Sequence, residues 1–182
     1  MICAAGARRV THGFTLLELL VTLAIMLIVL AYGSGPFGAM MAQNRLTTTV
    51  NDFVGTLTLA RSMAVMGNGA VSVCSNAGEA CGNKDDWANG ALLFYNPNKL
   101  DVLSGTIRKR LNITGQVTIK SNVKAITFDR DGSASVPAAA TAGESASARW
   151  VFCDPSGRAS SRIVAVHGSG SNHLYKPAAC AL

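Results

Sequence analysis

The chain has 182 residues, 49% hydrophobic but only 6% aromatic, with 16 lysines and arginines against 10 acids for a formal charge of +6. That size holds one globular domain of ordinary dimensions and one further segment, and leaves no room for a second full domain. Much of the apolar share sits near the N-terminus, which excludes reading the whole chain as a single water-soluble domain.

From Phe14 to Tyr32 the only ionisable side chain is Glu18. At about 1.5 Å per residue such a helix approaches the thickness of a bilayer's hydrocarbon, so the segment is expected to span a membrane. The basic pair Arg8-Arg9 ahead of it keeps the N-terminus cytoplasmic and sends the C-terminus across. A secretory signal peptide fits poorly, because here the apolar run follows Gly13 and an acid interrupts it early. An unpaired carboxylate in lipid costs about 2.5–3.5 kcal/mol, so Glu18 needs a partner. A cut after Gly13 would create one. The new amine at Phe14 lies one helical turn from Glu18, and a neighbouring chain's amine could pair with it.

Gly33-Ser34-Gly35-Pro36 should unwind the helix locally without ending it. Beyond it, Leu46, Val50, Phe53, Val54, Leu57, Ala60 and Ala64 recur at steps of three and four and make a core-facing stripe, while threonines including Thr56 fill the other faces. Gly67-Asn68-Gly69 stops the helix. Strands are expected at an alternating 70–74, a buried run at 91–95, and then at 117–119, 125–128, 150–153 and 162–166. Asn96-Pro97-Asn98 and Asp131-Gly132 supply turns. The small, polar stretch 137–148 has nothing to bury and reads as a mobile connector.

Gly13-Phe14-Thr15-Leu16-Leu17-Glu18, behind a basic leader and ahead of an apolar helix, resembles the prepilin processing motif of type IV pilins and type II secretion pseudopilins. The resemblance implies a prepilin peptidase that cuts after Gly13 and methylates Phe14, leaving Glu18 fifth in the mature chain as the assembly residue. Later blocks are similar to the GspH/FimT (FimU-like) branch: Leu59-Ala60-Arg61-Ser62-Met63-Ala64, Val73-Cys74, Asp86-Trp87-Ala88-Asn89-Gly90, the stretch 126–132 and Phe152-Cys153-Asp154-Pro155-Ser156-Gly157-Arg158. The implied fold is α+β, a long N-terminal helix with a transmembrane first half, packed on a small antiparallel β-sandwich. The chain then divides into a leader, 1–13, a transmembrane and assembly helix, 14–36, and a periplasmic globular domain, 37–182. The implied location is the bacterial inner membrane before entry into a pilus or pseudopilus. The implied partners are other pilins or pseudopilins, met through the helix.

Cys3 leaves with the leader, and Cys74, Cys81, Cys153 and Cys180 form an even set suited to an exported domain. They admit three pairings, of which Cys74–Cys81 and Cys153–Cys180 are expected. A zinc site with His167 or His173 matches no closed Cys/His spacing, so neither metal nor cofactor is expected. After processing His167 and His173 are the only histidines, in a glycine- and serine-rich end, and no nucleophile–base order surrounds them. The paired acids Asp85-Asp86 and Asp129/Asp131 read as turn formers or solvated charges. The chain is read as a structural or binding protein and not as an enzyme.

Cleavage would remove Arg8 and Arg9, leaving 14 bases against 10 acids, and the whole excess falls within 100–182. Some FimT-type minor pilins bind DNA during natural transformation, so the resemblance implies DNA reception as an alternative, with the late-clustered Arg108, Lys109, Arg110, Arg158 and Arg162 as candidate contacts. Competence-type relatives carry a Gly-Arg-x-Arg element near the chain end, whereas this chain has Gly157-Arg158-Ala159-Ser160-Ser161-Arg162. A tail stapled by cysteine is more similar to a FimU-type component of a pilus priming complex.

Overall fold

The computed structural model describes residues 13–78, 80–83, 86–96, 106–113, 117–136, 148–176 and 180, with backbone alone at 32–36, 86 and 96. The chain forms two compact units, 1–38 and 39–182. One helix, α1 (Leu16–Gly67), runs through the sequence positions of both. The expected unwinding at 33–36 does not occur, since helical backbone continues there. A proline withdraws a single donor, and the turns on either side keep their own bonds.

In the first unit, the apolar side chains from Leu16 to Leu30 point to every side of α1 and remain 49–81% exposed. Among the described residues of this unit, none covers them. In the second unit α1 becomes one-sided. Leu46, Val50, Phe53, Leu57, Ala60 and Ala64 are all buried, and Val54 packs beside them. Thr56 is also buried, a departure from the expected polar face, and its hydroxyl is satisfied by the Asp52 carbonyl at 2.9 Å. The helix closes as expected at Gly67: Asn68 takes a left-handed φ of 49°, and the Gly69 amide returns to the Ala64 carbonyl at 3.3 Å.

Nine strands follow. They are β1 (Ala70–Ser75), β2 (Ala91–Asn96), β3 (Thr106–Leu111), β4 (Thr118–Ser121), β5 (Ala125–Phe128), β6 (Ala134–Ser135), β7 (Ala148–Cys153), β8 (Arg162–Val166) and β9 (Asn172–Tyr175), all among the described residues. They form two antiparallel sheets, ordered β3-β2-β1-β5-β6 and β4-β7-β8-β9. Strands β3, β6 and β9 were not expected. β3 and β9 are edge strands with mostly exposed side chains, so main-chain pairing rather than an apolar pattern holds them. The turn expected at 96–98 and the connector at 137–148 lie, but for Asn96 and Ala148, outside the described residues.

Strand β1 corrects a second expectation. Its alternation suggests one wet face, yet all six residues are buried. Val71 and Val73 enter the main core, while Cys74 joins Leu92, Phe94 and Ala125 in a smaller cluster on the other face, capped by Cys81 and Ile107. A central strand covered on both sides has no face left for water.

The main core is centred on Phe53 of α1. Its ring meets Trp87, Trp150 and Phe152 edge-on at centroid distances of 5.7, 5.1 and 5.2 Å, and Trp87 meets Trp150 at 5.3 Å. Trp87 sits on a short 3₁₀ turn, Asp86–Asn89, with its indole N–H donating to the Val123 carbonyl at 2.7 Å. Gly90 closes that turn at φ 111°, against the Leu111 main chain, where a side chain would collide.

Polar ties from α1 fix the connections of both sheets. Arg61 donates from Nε to the Gly132 carbonyl and from Nη2 to the Ser169 carbonyl, each at 3.0 Å, joining the β5–β6 and β8–β9 turns. The Gln43 side chain accepts from Ser160, and Asn172 donates to Thr58 Oγ1. Truncating Phe53 to alanine should cost about 3–5 kcal/mol, and Arg61→Ala about 1–2 kcal/mol. Urea denaturation of the full chain in detergent checks both, against the exposed Thr48→Ala as control; an equal effect for Phe53→Ala and Thr48→Ala would contradict this core.

Candidate functional site

The N-terminal site is built at the first turn of α1. Thr15 stands just before Leu16, and its hydroxyl accepts the Glu18 amide at 3.2 Å while its carbonyl accepts the Leu19 amide at 3.2 Å. This is the side-chain-to-N3 half of a capping box, with Glu18 in the first turn where the helix dipole favours an acid. The sequence reading missed the role of Thr15, although the spacing Thr-x-x-Glu ahead of an apolar run announces it. Glu18 and Phe14 are both exposed. Around Gly13 nothing lies within 4 Å of the place a Cβ would take, and its φ is not left-handed. Packing within this chain therefore does not demand glycine at that position.

The candidate basic residues are not gathered onto one strand or one sheet. Arg108, Lys109 and Arg110 lie on β3 at an edge of the five-stranded sheet. A register shift opposite Leu93 and Phe94 sets Arg108 apart, 5.5 Å from the centre of the Tyr95 ring. Lys109 opposes Leu93 and Arg110 opposes Leu92, and those leucines enter different clusters, so these two charges face opposite sides. Arg158 and Arg162 belong instead to the β7–β8 connection and the start of β8, in the other sheet.

That connection is organised by Asp154. Its carboxylate accepts the hydroxyl of Ser156 at 2.7 Å and the amides of Arg158 and Ala159 at 2.8 and 3.1 Å, around Gly157 at φ 67°. The Ser156 hydroxyl and these amides hold the carboxyl below its usual range. Asp131 is lowered in the same way by the Ser133 hydroxyl and amide. Both acids build turns, as does Asp129, which accepts the Arg130 amide.

Two disulfides join Cys74 to Cys81 and Cys153 to Cys180, with Cα separations of 5.5 and 5.9 Å. The first covers the outer face of β1. The second ties the chain end to β7, and the Cys180 carbonyl accepts Lys120 Nζ from β4 at 3.5 Å. Among the described residues no group of three or more metal-ligating side chains comes together, and no helix is long and apolar enough to cross a membrane.

The family described as "Type II transport protein GspH" matches residues 49–170, well over half of the chain. The chain belongs to the GspH family. Residues 8–33 match the prokaryotic N-terminal methylation motif, covering Gly13, Phe14 and Glu18. No curated protein matches. Among solved structures, the type IV minor pilin FimU of Pseudomonas aeruginosa is similar in two crystal forms. One has 17% identity and a TM-score of 0.56 over 76% of this chain and 97% of that one; the other has 18% and 0.54 over 74% and 99%. The minor pseudopilin EpsH of the Vibrio cholerae type 2 secretion system has 7% identity and a TM-score of 0.48, covering 74% and 99%. Long helix and antiparallel sheets thus form a pilin-like α+β fold, in a family described as a type II transport protein.

In this member of the GspH family, replacing Cys153 and Cys180 by serine should lower stability by about 3–4 kcal/mol. The shorter Cys74–Cys81 loop should be worth about 2–3 kcal/mol. Denaturation of the two double variants measures the order. Asp154 should show the acid signature of a lowered carboxyl: its contribution is complete above the usual range of about pH 3.9 and fades as the pH falls through the lowered value. The protection factors of the Arg158 and Ala159 amides, taken against the intrinsic exchange rate at each pH, should therefore fall on acidification, and in Asp154→Ala be low at every pH.

Proposed function

We propose that this chain is a minor pilin or pseudopilin subunit that takes part in initiating or assembling a pilus or a type II secretion pseudopilus, and is not an enzyme. A prepilin peptidase cuts it after Gly13 and methylates Phe14. Before incorporation the segment 14–36 anchors it in the inner membrane, with 37–182 in the periplasm. The observation that carries this reading is the helix from Leu16 to Leu30, apolar and exposed on all sides, headed by a Thr15 cap and one acid. A helix of that kind needs lipid or other helices around it.

Glu18 supplies the register. Its carboxylate has no ion pair with the other described residues, and the amine freed at a neighbour's Phe14 offsets the charge when two helices stand in the right stagger. Gly13, which packing leaves open, is glycine because the peptidase must reach the main chain on its far side. Disulfides at Cys74–Cys81 and Cys153–Cys180 agree with an oxidising compartment. The DNA alternative draws no support from the distribution of Arg108, Lys109 and Arg110 on one sheet and Arg158 and Arg162 on the other.

Glu18→Ala should leave processing largely intact and cut incorporation into sheared filaments about tenfold or more, relative to cleaved subunit in the membrane. Glu18→Asp should recover part of it. Normal incorporation of Glu18→Ala would overturn the pairing.

A further inference from the structure

The four-stranded sheet has an outer face that the family reading does not use. Pairing sets Arg149 of β7 opposite Ala165 of β8, and Ala165 opposite His173 of β9. Strand alternation then sends Arg149, His173 and Tyr175 to one side, away from the core-facing Trp150 and Val164. His167, just past β8, joins them. The two imidazole rings meet edge-on at 4.9 Å, and the Tyr175 ring lies nearly parallel to His173 at 6.2 Å. Arg149, Ile163, Ala165, His167 and Tyr175 line a groove of about 250 Å³. The groove has room for one or two side chains rather than a whole small-molecule ligand.

Its charge is one-sided. None of the four strands carries an acid. The groups that face the imidazoles are Arg149 from β7 and Tyr175 from β9, with Lys120 further along the face on β4. Ser171 Oγ lies 3.3 Å from His173 Nε2 and so fixes that ring. The guanidinium of Arg149 has no ion pair or hydrogen bond with the other described residues. It offers two parallel N–H donors, the geometry a carboxylate accepts.

We propose that this groove binds carboxylate side chains of an acidic segment on a neighbouring pilin-type subunit. The proposal rests on the reading of the chain as an assembly subunit and names a contact outside the helix. Arg149 holds the carboxylate through its paired N–H donors. The imidazoles of His167 and His173 stand beside it and add ring nitrogens able to donate. Tyr175, 49% exposed on the edge strand, supplies apolar area that suits a polypeptide rather than a free ion. A nucleic-acid backbone fits less well, because its affinity grows with the number of phosphates neutralised and this face carries two permanent cations, Lys120 and Arg149.

The test uses the full chain in uncharged detergent and a fluorescent hexaglutamate peptide, with hexaglutamine and a hexameric single-stranded oligonucleotide as comparison probes. Hexaglutamate should bind at least about tenfold more tightly than hexaglutamine. Arg149→Ala should weaken hexaglutamate binding about tenfold, and Arg149→Lys should recover part of it. The double change His167→Gln with His173→Gln should weaken binding by less than Arg149→Ala does. Binding that ignores Arg149→Ala, equally tight binding of hexaglutamine, or tighter and equally Arg149-dependent capture of the oligonucleotide would each overturn the proposal. Because the readout is peptide binding to the isolated subunit, its failure is separable from a failure of filament incorporation.

Discussion

Phe53 is the point at which the molecule is held together. One ring from α1 touches the 3₁₀ turn through Trp87 and β7 through Trp150 and Phe152, so the helix, the segment between β1 and β2, and the four-stranded sheet share a single set of edge-on contacts. The five-stranded sheet enters the same core through Val71, Val73, Leu93, Ile126 and Phe128. A chain with so few aromatic residues places four of them here, where each buries a large apolar area and leaves little freedom of orientation. The glycine turns and the Arg61 bridge then need only fix the periphery.

Along α1 the apolar residues are placed in two ways. Beyond Gly38 the apolar residues Leu46, Val50, Phe53, Leu57, Ala60 and Ala64 follow the helical period and face inward, which is what a one-sided core requires. Before it the apolar residues cover the whole circumference, and the only charge stands in the first turn, where the backbone amides and Thr15 receive it. Glu18 is thus compatible with the helix at its own end, and the cap formed by Thr15 is local to Thr15-Leu16-Leu17-Glu18.

The stripe from Leu46 to Ala64, the stop at Gly67-Asn68-Gly69 and six of the strands were legible because each follows from a period or a turn chemistry that tertiary structure reinforces. β3 and β9 were not, since Thr106–Leu111 and Asn172–Tyr175 are polar edge strands whose stability comes from partners far along the chain. Alternation in β1 misled for a related reason: Ser72 and Thr127 satisfy each other across the pair at 2.9 Å, so small polar groups are buried without water. At the candidate sites, the motif at Gly13 to Glu18 is local and could be read directly. The division of Arg108, Lys109 and Arg110 from Arg158 and Arg162, and the meeting of Arg149, His167 and His173, depend on strand order and register, which spacing alone does not contain.

The account stands on a cut that turns Phe14 into an N-terminus. Intact-mass and N-terminal peptide analysis of this protein, recovered from sheared surface filaments or from the membrane of cells with an active prepilin peptidase, tests that directly. The expected species begins at N-methylated Phe14 and retains both disulfides. A recovered chain that still carries residues 1–13, or that is cut at any other bond, would contradict it.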